Sequence, residues 1–276
     1  MGNGPDNQMN RQNVFSRVID SLSCVLFPEV CYFCGSLNDT KGSVICSKCR
    51  SSIRSILMPF CEICGLPLSK FDHCSDELFC GSCISRAPAY DRARYGVYYE
   101  NDIRSAITKF KFHASLFNVR PIAECLIEAF NRHYADESID VILPIPVHRK
   151  RLIERGFNQV ITLSQKLSNA TGIPIERTSL IKRKHTKPQV GLPRSKRILN
   201  LKNAFMVSKP EKISGKRVLI IDDVSTTGAT VSEAAKAVRK AGAAYIAVLV
   251  LALRTRSEVN GAQSSGIDAL KLERGL

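Results

Sequence analysis

Two carboxylates, Asp222 and Asp223, stand side by side at the end of the apolar run "RVLII", and "VSTTGAT" follows them directly. Residues 218–221 are branched and suit a strand buried on both faces, so the aspartates fall at its carboxyl end, where open α/β sheets hold ligands. Neighbouring strand residues point to opposite faces, which lets two acceptor groups reach different parts of one ligand. Such groups suit ribose hydroxyls or a magnesium shell. Ser225, Thr226, Thr227, Gly228, Ala229 and Thr230 add hydroxyls and a glycine turn at a helix start, an anion cradle matched to one phosphate monoester. Carboxylates beside that cradle describe a ribose 5-phosphate site. The chain has neither the Gly-x-x-x-x-Gly-Lys-Ser/Thr of a P-loop nor the Gly-x-Gly-x-x-Gly of a dinucleotide fold.

A second chemistry belongs to the cysteines. Cys31 and Cys34 form one Cys-x-x-Cys pair and Cys46 and Cys49 another, 11 residues on; Cys61 with Cys64 and Cys80 with Cys83 repeat the unit across 15 residues. In each pair the sulfurs converge, and two pairs complete a tetrahedral zinc shell. A thioredoxin-type dithiol needs one such pair in a βα unit, which four copies in a strand-poor region do not supply. Four thiolates leave no position open for water, so both zinc sites are expected to be structural. His73 and Cys74 stand inside the second cluster as substitute ligands, although adjacent residues are poor partners in one knuckle.

The formal net charge of +15 is concentrated in the chain. Residues 147–217 hold 18 Lys/Arg against 3 Asp/Glu, while elsewhere 22 basic and 22 acidic residues cancel. A block of this kind suits a phosphate-rich partner, nucleic acid or small molecule; its other reading is a solvated basic loop. Paired cysteines and the start "MGNGPDNQMNRQNVF", which lacks a signal-peptide pattern, imply a reducing, cytoplasmic setting. No membrane span is expected, because apolar runs such as "YIAVLVLAL" reach only about half of the ~20 residues a span needs.

The elements that must position these groups follow from periodicity. After a polar stretch over residues 1–12, Val14, Phe15, Val18, Ile19 and Leu22 lie at helical spacing, so residues 1–27 read as a tail and a short amphipathic helix. Cysteine-rich sequence occupies 28–90. Over 91–254 strands alternate with helices: "ARYGVYY", helices over 102–112 and 119–134, "VILPIP", a helix over 157–168, "SLIKRK", "RVLIID", a helix over 229–241 and "YIAVLVLAL". That order predicts an α/β domain with a mainly parallel sheet and helices on both faces. Residues 255–276 read as a flexible tail. Cys24 and Cys125 fall on apolar helix faces.

Four apolar residues, two acids and "VSTTGAT" resemble the 5-phosphoribosyl 1-diphosphate (PRPP) signature of type I phosphoribosyltransferases. With "CYFCG", "CEICGLPL", "LPIPVHRKRLIERGFNQ" and "KPQVGLPRSKRILNLKNAF" in this order, the chain resembles the ComF family of ComFC- and GntX-like proteins over roughly residues 20–254. The resemblance implies a double zinc ribbon followed by a type I phosphoribosyltransferase-like domain. It implies that Asp222 and Asp223 hold the ribose hydroxyls, that residues 225–230 hold the 5-phosphate, and that Val147, His148 and Arg149 bind diphosphate with Mg²⁺. Lys111, in "FKF", matches a family lysine that reaches the ligand, and Gln189, Arg194 and Arg197 fall in the loop that covers such sites. Two functions stay open on this reading. One is a cytoplasmic competence factor that binds single-stranded DNA, with Phe110, Phe112 and Phe157 as stacking candidates and competence-machinery proteins as partners. The other is a transferase that moves phosphoribose from PRPP to a base or amine.

Overall fold

The computed structural model describes residues 29–68, 78–112, 116–183 and 201–255. They fall into two compact units, one ending at Ser52 and the other beginning at Ile53. The expected helix around Val14–Leu22, Cys24, His73, Cys74, Gln189, Arg194, Arg197 and the tail after Thr255 lie outside the described residues. Among the described residues no helix is long and apolar enough to cross a membrane.

Both cysteine clusters use the same local device. In the first unit the Gly35 N–H donates to the Cys31 carbonyl and the Cys31 N–H to the Ser36 carbonyl, with Gly35 at φ 71°, where a side chain is disfavoured. The second pair then opens helix α1 (Ser47–Ser52). The second unit repeats this: the Gly65 N–H donates to Cys61, the Cys61 N–H to Leu66, and α2 (Gly81–Ser85) carries Cys83.

The remaining elements are β1 (Arg92–Tyr98), α3 (Asn101–Phe112), α4 (Leu116–His133), β2 (Val141–Pro144), α5 (Arg149–Arg155), α6 (Gln159–Thr171), β3 (Leu180–Lys182), β4 (Phe205–Val207), β5 (Arg217–Ser225), α7 (Ala229–Lys240) and β6 (Tyr245–Leu253). The main sheet is parallel throughout, in the order β1-β6-β5-β2. Central strands β5 and β6 are almost wholly buried, as their unbroken apolar runs require. Alternation then divides their side chains. Val218 and Ile220 join Ile246, Val248 and Val250 in a core that also contains Val231, Ala234, Ala235 and Val238 of α7. Helix α4 packs on β1 and β6, and α6 on β2 and β5. Gly96 permits the close approach of α4: a Cβ there would lie 3.1 Å from that of Ala129.

Two departures from the periodicity have physical causes. The run "SLIKRK" forms no strand of the parallel sheet; β3 pairs antiparallel with β4 in a separate two-stranded sheet, and only residues 180–182 are extended. After β2, residues 145–148 have no regular structure, and helix α5, which the periodicity does not mark, starts at Arg149 and is followed by Gly156, whose φ of 76° breaks it from α6. Asn158 then caps α6 by accepting the Val160 N–H at 3.0 Å.

The second knuckle folds against the edge of the sheet. The Ile56 N–H donates to Gly96, the Tyr98 N–H to Arg54 and the Ala93 N–H to Ile63, so backbone that would otherwise be an open strand edge is paired. Buried Arg94 donates to the Glu62 carbonyl at 2.8 Å, pairs with its carboxylate at 2.7 Å and lies over the Phe60 ring. Gly65 is pressed against β1 so closely that a Cβ would stand 2.2 Å from the Ala93 carbonyl oxygen. Gly65→Ala is therefore expected to destabilise the protein by about 3 kcal/mol or more. Gly35→Ala, at a similar φ with open space around it, should cost about 1–2 kcal/mol. Melting temperatures of the two zinc-loaded variants check this, and equal losses would refute the close docking.

Candidate functional site

Parallel register brings the carboxyl ends of all four strands to one edge. Strand β5 runs three residues past the expected end at Asp222, to Ser225, because Val224 and Ser225 stay paired with Ala252 and Leu253 of β6. On one flank Pro144 of β2 pairs with Ile221 and the Ile145 N–H donates to the Ile221 carbonyl, so residues 146–149 leave the sheet beside Asp222. On the other, the Arg254 N–H donates to Ser225 and the Tyr99 N–H to Leu253.

The two aspartates meet different surroundings. Asp222 continues the Val218–Ile220 side of the strand and is only 6% exposed. Burial, together with the neighbouring Asp223 charge, pushes its carboxyl up to about 8, against the opposing pull of the Asp223 N–H, Lys111 and Lys182. Asp223 meets the Lys111 ammonium at 3.0 Å. Burial works against the charge on Lys111, yet the Asp223 carboxylate outweighs it and holds the ammonium above the ordinary lysine value. The edge thus holds a buried carboxyl, Asp222, that keeps its proton more firmly than an ordinary aspartate, beside the Lys111–Asp223 ion pair.

The loop after β5 is tightly built. Ser225 Oγ accepts the Gly228 N–H at 3.0 Å, and Gly228 takes a left-handed φ of 71° immediately before α7. Thr227 Oγ1 is buried with no hydrogen-bond partner among the described residues. A buried hydroxyl in that condition is costly, and an anion seated in the loop would satisfy it. Asp222, Asp223, Lys111 and residues 225–230 thus come together at one edge. Val147 and His148 are half-buried beside it and Arg149 is exposed at the start of α5.

Three contributors are not singled out by the sequence reading. Asn158, inside "RGFNQ", donates to the Ile145 carbonyl at 3.2 Å and so ties α6 to the turn after β2. Lys182 lies over the Phe205 ring and its charge reaches Asp222. Tyr95, buried on β1, brings its hydroxyl to 3.8 Å from the place a Cβ on Gly228 would occupy. Only Asn158 carried a signal, as an Asn two residues after Gly and just before a periodic helix. Of the stacking candidates, Phe110 is buried and packs edge-on against Phe157 at 5.5 Å, so it serves the core and is no platform for a base.

Each cysteine cluster fits zinc. All four Sγ atoms of each set lie within 4.8 Å of one another. The Cys34–Cys46 and Cys64–Cys80 separations are 3.8 and 3.6 Å, close to the ~3.8 Å edge of a tetrahedron with zinc–sulfur bonds of ~2.3 Å. Backbone N–H groups of Cys46 and Cys80 point at the sulfurs of Cys31 and Cys61, a donor set suited to thiolate.

Comparison with known proteins agrees with this division. Residues 22–84 match the double zinc ribbon domain and residues 113–264 the phosphoribosyl transferase domain. Competence protein F of Haemophilus influenzae is 36% identical over 229 residues, 80% of this chain and 96% of its own length. DNA utilization protein YhgH of Escherichia coli K12 is 30% identical over 81% of this chain and 96% of its own. Competence protein ComFC of Bacillus subtilis is 29% identical over 72% and 80%.

The proton on Asp222 has a measurable consequence. Its folded-state pKa lies above the unfolded value, so the stability it contributes is full below about pH 4 and is lost as pH rises toward 8. Asp222→Asn should therefore match the parent near pH 4 and exceed it at pH 8 by on the order of 5 kcal/mol. Urea unfolding at both pH values checks it; a difference that does not change with pH would contradict the protonated aspartate. Metal analysis of the purified chain should find two zinc ions, falling to one in Cys46→Ser/Cys49→Ser.

Proposed function

The chain belongs to the ComF family, a double zinc ribbon followed by a phosphoribosyl transferase domain, and from that premise we propose that it is a competence-related, DNA-handling protein built around a PRPP–Mg²⁺ site. The observation that carries the site is the unpartnered Thr227 hydroxyl in a loop directly after two carboxylates. The 5-phosphate takes the Thr227 hydroxyl and the 225–230 loop, and the ribose hydroxyls take Asp222 and Asp223. Residues 147–149 and Lys111 face the diphosphate, with Gln189, Arg194 and Arg197 as covering contacts. Magnesium bound with PRPP would neutralise diphosphate charge, and the neighbouring carboxylates and turn oxygens suit such a hard cation.

The DNA role draws on the names of the relatives, competence protein F, DNA utilization protein YhgH and competence protein ComFC. The excess of 18 basic over 3 acidic residues across 147–217 supports it, since backbone phosphates reward concentrated Lys/Arg. The protein works in the cytoplasm on this reading, with single-stranded DNA and competence-machinery proteins as its partners.

One observation favours the transferase alternative: an ammonium, Lys111, is already held on Asp223 among the site's carboxyl groups. In that reaction the C1–O bond of PRPP breaks, its electron pair leaves with the diphosphate, and a nitrogen nucleophile bonds to C1 and releases a proton. Lys111 and Arg149 would stabilise the departing charge.

PRPP with Mg²⁺ at a hundred times its dissociation constant should add about 2.7 kcal/mol of stability. Asp222→Ala/Asp223→Ala should abolish the shift; no shift in the parent defeats the site reading. Single-stranded DNA affinity should fall steeply with salt, and Lys182, Arg183 and Lys184 changed to Ala should flatten the slope. Diphosphate release from PRPP on adding an amine or base, lost in the double aspartate variant, would decide for the transferase.

A further inference from the structure

Both carboxylate oxygens of Asp223 are engaged by the protein itself. Oδ1 accepts the Val224 N–H at 2.7 Å, and Oδ2 meets the Lys111 ammonium at 3.0 Å. The pair is largely shielded from water, with the two side chains 23% and 16% exposed. An ion pair so placed is screened less than one on an open surface. A ligand hydroxyl that takes Oδ2 therefore competes with an ammonium for it, and parting the pair costs free energy.

The backbone beneath Lys111 is held while its stem can turn. Phe110 is buried and packs against Phe157 at 5.5 Å, which fixes the last turn of α3 against the start of α6. Asn158, next in the chain, donates to the Ile145 carbonyl at 3.2 Å. Lys111 is thereby placed in the corner between Asp223 and the turn after β2. Its flexible four-carbon stem lets the ammonium change partner without moving the helix. A ligand that sets an anion beside residues 147–149 offers the displaced ammonium a new partner. One that carries only hydroxyls to Asp223 leaves it with none.

We propose that Lys111 is a specificity-determining residue: it guards Asp223 against ligands that bring a ribose diol and a 5-phosphate alone, and admits those that also carry an anion at C1 to receive its ammonium. The proposal rests on the phosphoribose reading given above and adds selection to it. PRPP falls in the admitted class. Ribose 5-phosphate falls in the rejected one, with nucleoside monophosphates, which a phosphoribosyl transfer would leave behind.

Isothermal titration of the full zinc-loaded chain with PRPP and with ribose 5-phosphate, both in Mg²⁺, tests it. Lys111→Met keeps an unbranched apolar stem and removes the charge. It should bind ribose 5-phosphate about fivefold more tightly than the parent. The preference for PRPP over ribose 5-phosphate should fall about tenfold or more, because the ammonium's contact with the diphosphate is lost. Ribose 5-phosphate that binds the variant no more tightly than the parent overturns the proposal, since Lys111 then guards nothing. An unchanged preference overturns it as well, since the ammonium then finds no partner on the diphosphate, and so does a parent with no preference for PRPP. Should Lys111→Met lose zinc or melt below the working temperature, Lys111→Gln decides by the same two criteria, its neutral amide still able to donate to Asp223. A parent that binds PRPP while either criterion fails keeps the phosphoribose site and loses only this role for Lys111. A parent that binds neither ligand removes the phosphoribose reading and this proposal with it.

Discussion

The arrangement at the end of β5 is governed by one electrostatic constraint: two adjacent carboxyl groups must leave a strand that is buried on both faces. Two charges there cannot both be carried without help, since desolvation and mutual repulsion act in the same direction. The fold resolves this by keeping a proton on Asp222 and by bringing the end of α3 close enough for Lys111 to meet Asp223. That requirement fixes how β1 passes into α3. Asn101, in a left-handed conformation at φ 45°, opens α3 with two residues between it and the end of β1, and the last turn of α3 carries Lys111 to the same sheet edge. The site is thus a consequence of how the buried acids are neutralised. A cation or hydroxyl donors reaching this edge would relieve the same constraint in another way.

The second knuckle answers a different constraint. An exposed parallel edge strand offers unpaired backbone to any neighbour, and β1 is such an edge. Residues 54–63 cover it with backbone hydrogen bonds, and Arg94 locks the cover by meeting both the carbonyl and the carboxylate of Glu62. Metal ligation in this knuckle and integrity of the sheet edge are therefore coupled: Cys61 and Cys64 flank the residue whose carbonyl receives the Ala93 N–H. A small metal-organised module of this type contributes folding free energy through its ion, and here that contribution reaches the strand carrying Tyr95.

Much of this was legible because the signals were local. Cysteine spacing encodes a tetrahedron directly, and the unbroken apolar runs of β5 and β6 identify buried parallel strands whose carboxyl ends share one edge. The antiparallel hairpin was not legible, since "SLIKRK" and "NAFMV" are too short to distinguish a separate two-stranded sheet from a parallel edge. Helix α5 was not legible because "RKRLIER" is only seven residues long with two apolar positions, adjacent to each other, too few to show a helical period. The pairing of Lys111 with Asp223 joins residues more than a hundred positions apart. No periodicity contains such a pair.

The basic block also looks different once its members have places. Within the excess of positive charge, Lys212 is paired with Glu176 at 2.9 Å, and Arg217 stacks on Tyr245 while approaching Glu137 at 3.7 Å. These cations brace the ends of β3 and β5 and leave less charge for a polyanion than the composition suggests. Lys182 differs, because its charge is felt by Asp222 and it opens the segment that returns at Leu201. That return is anchored, with the Asn203 N–H donating to buried Glu233 on α7, the helix that begins after the 225–228 loop. The described residues on both sides of 184–200 are therefore fastened to elements that line the sheet edge: Arg183 donates its N–H to Ala204, and Asn203 is held on α7.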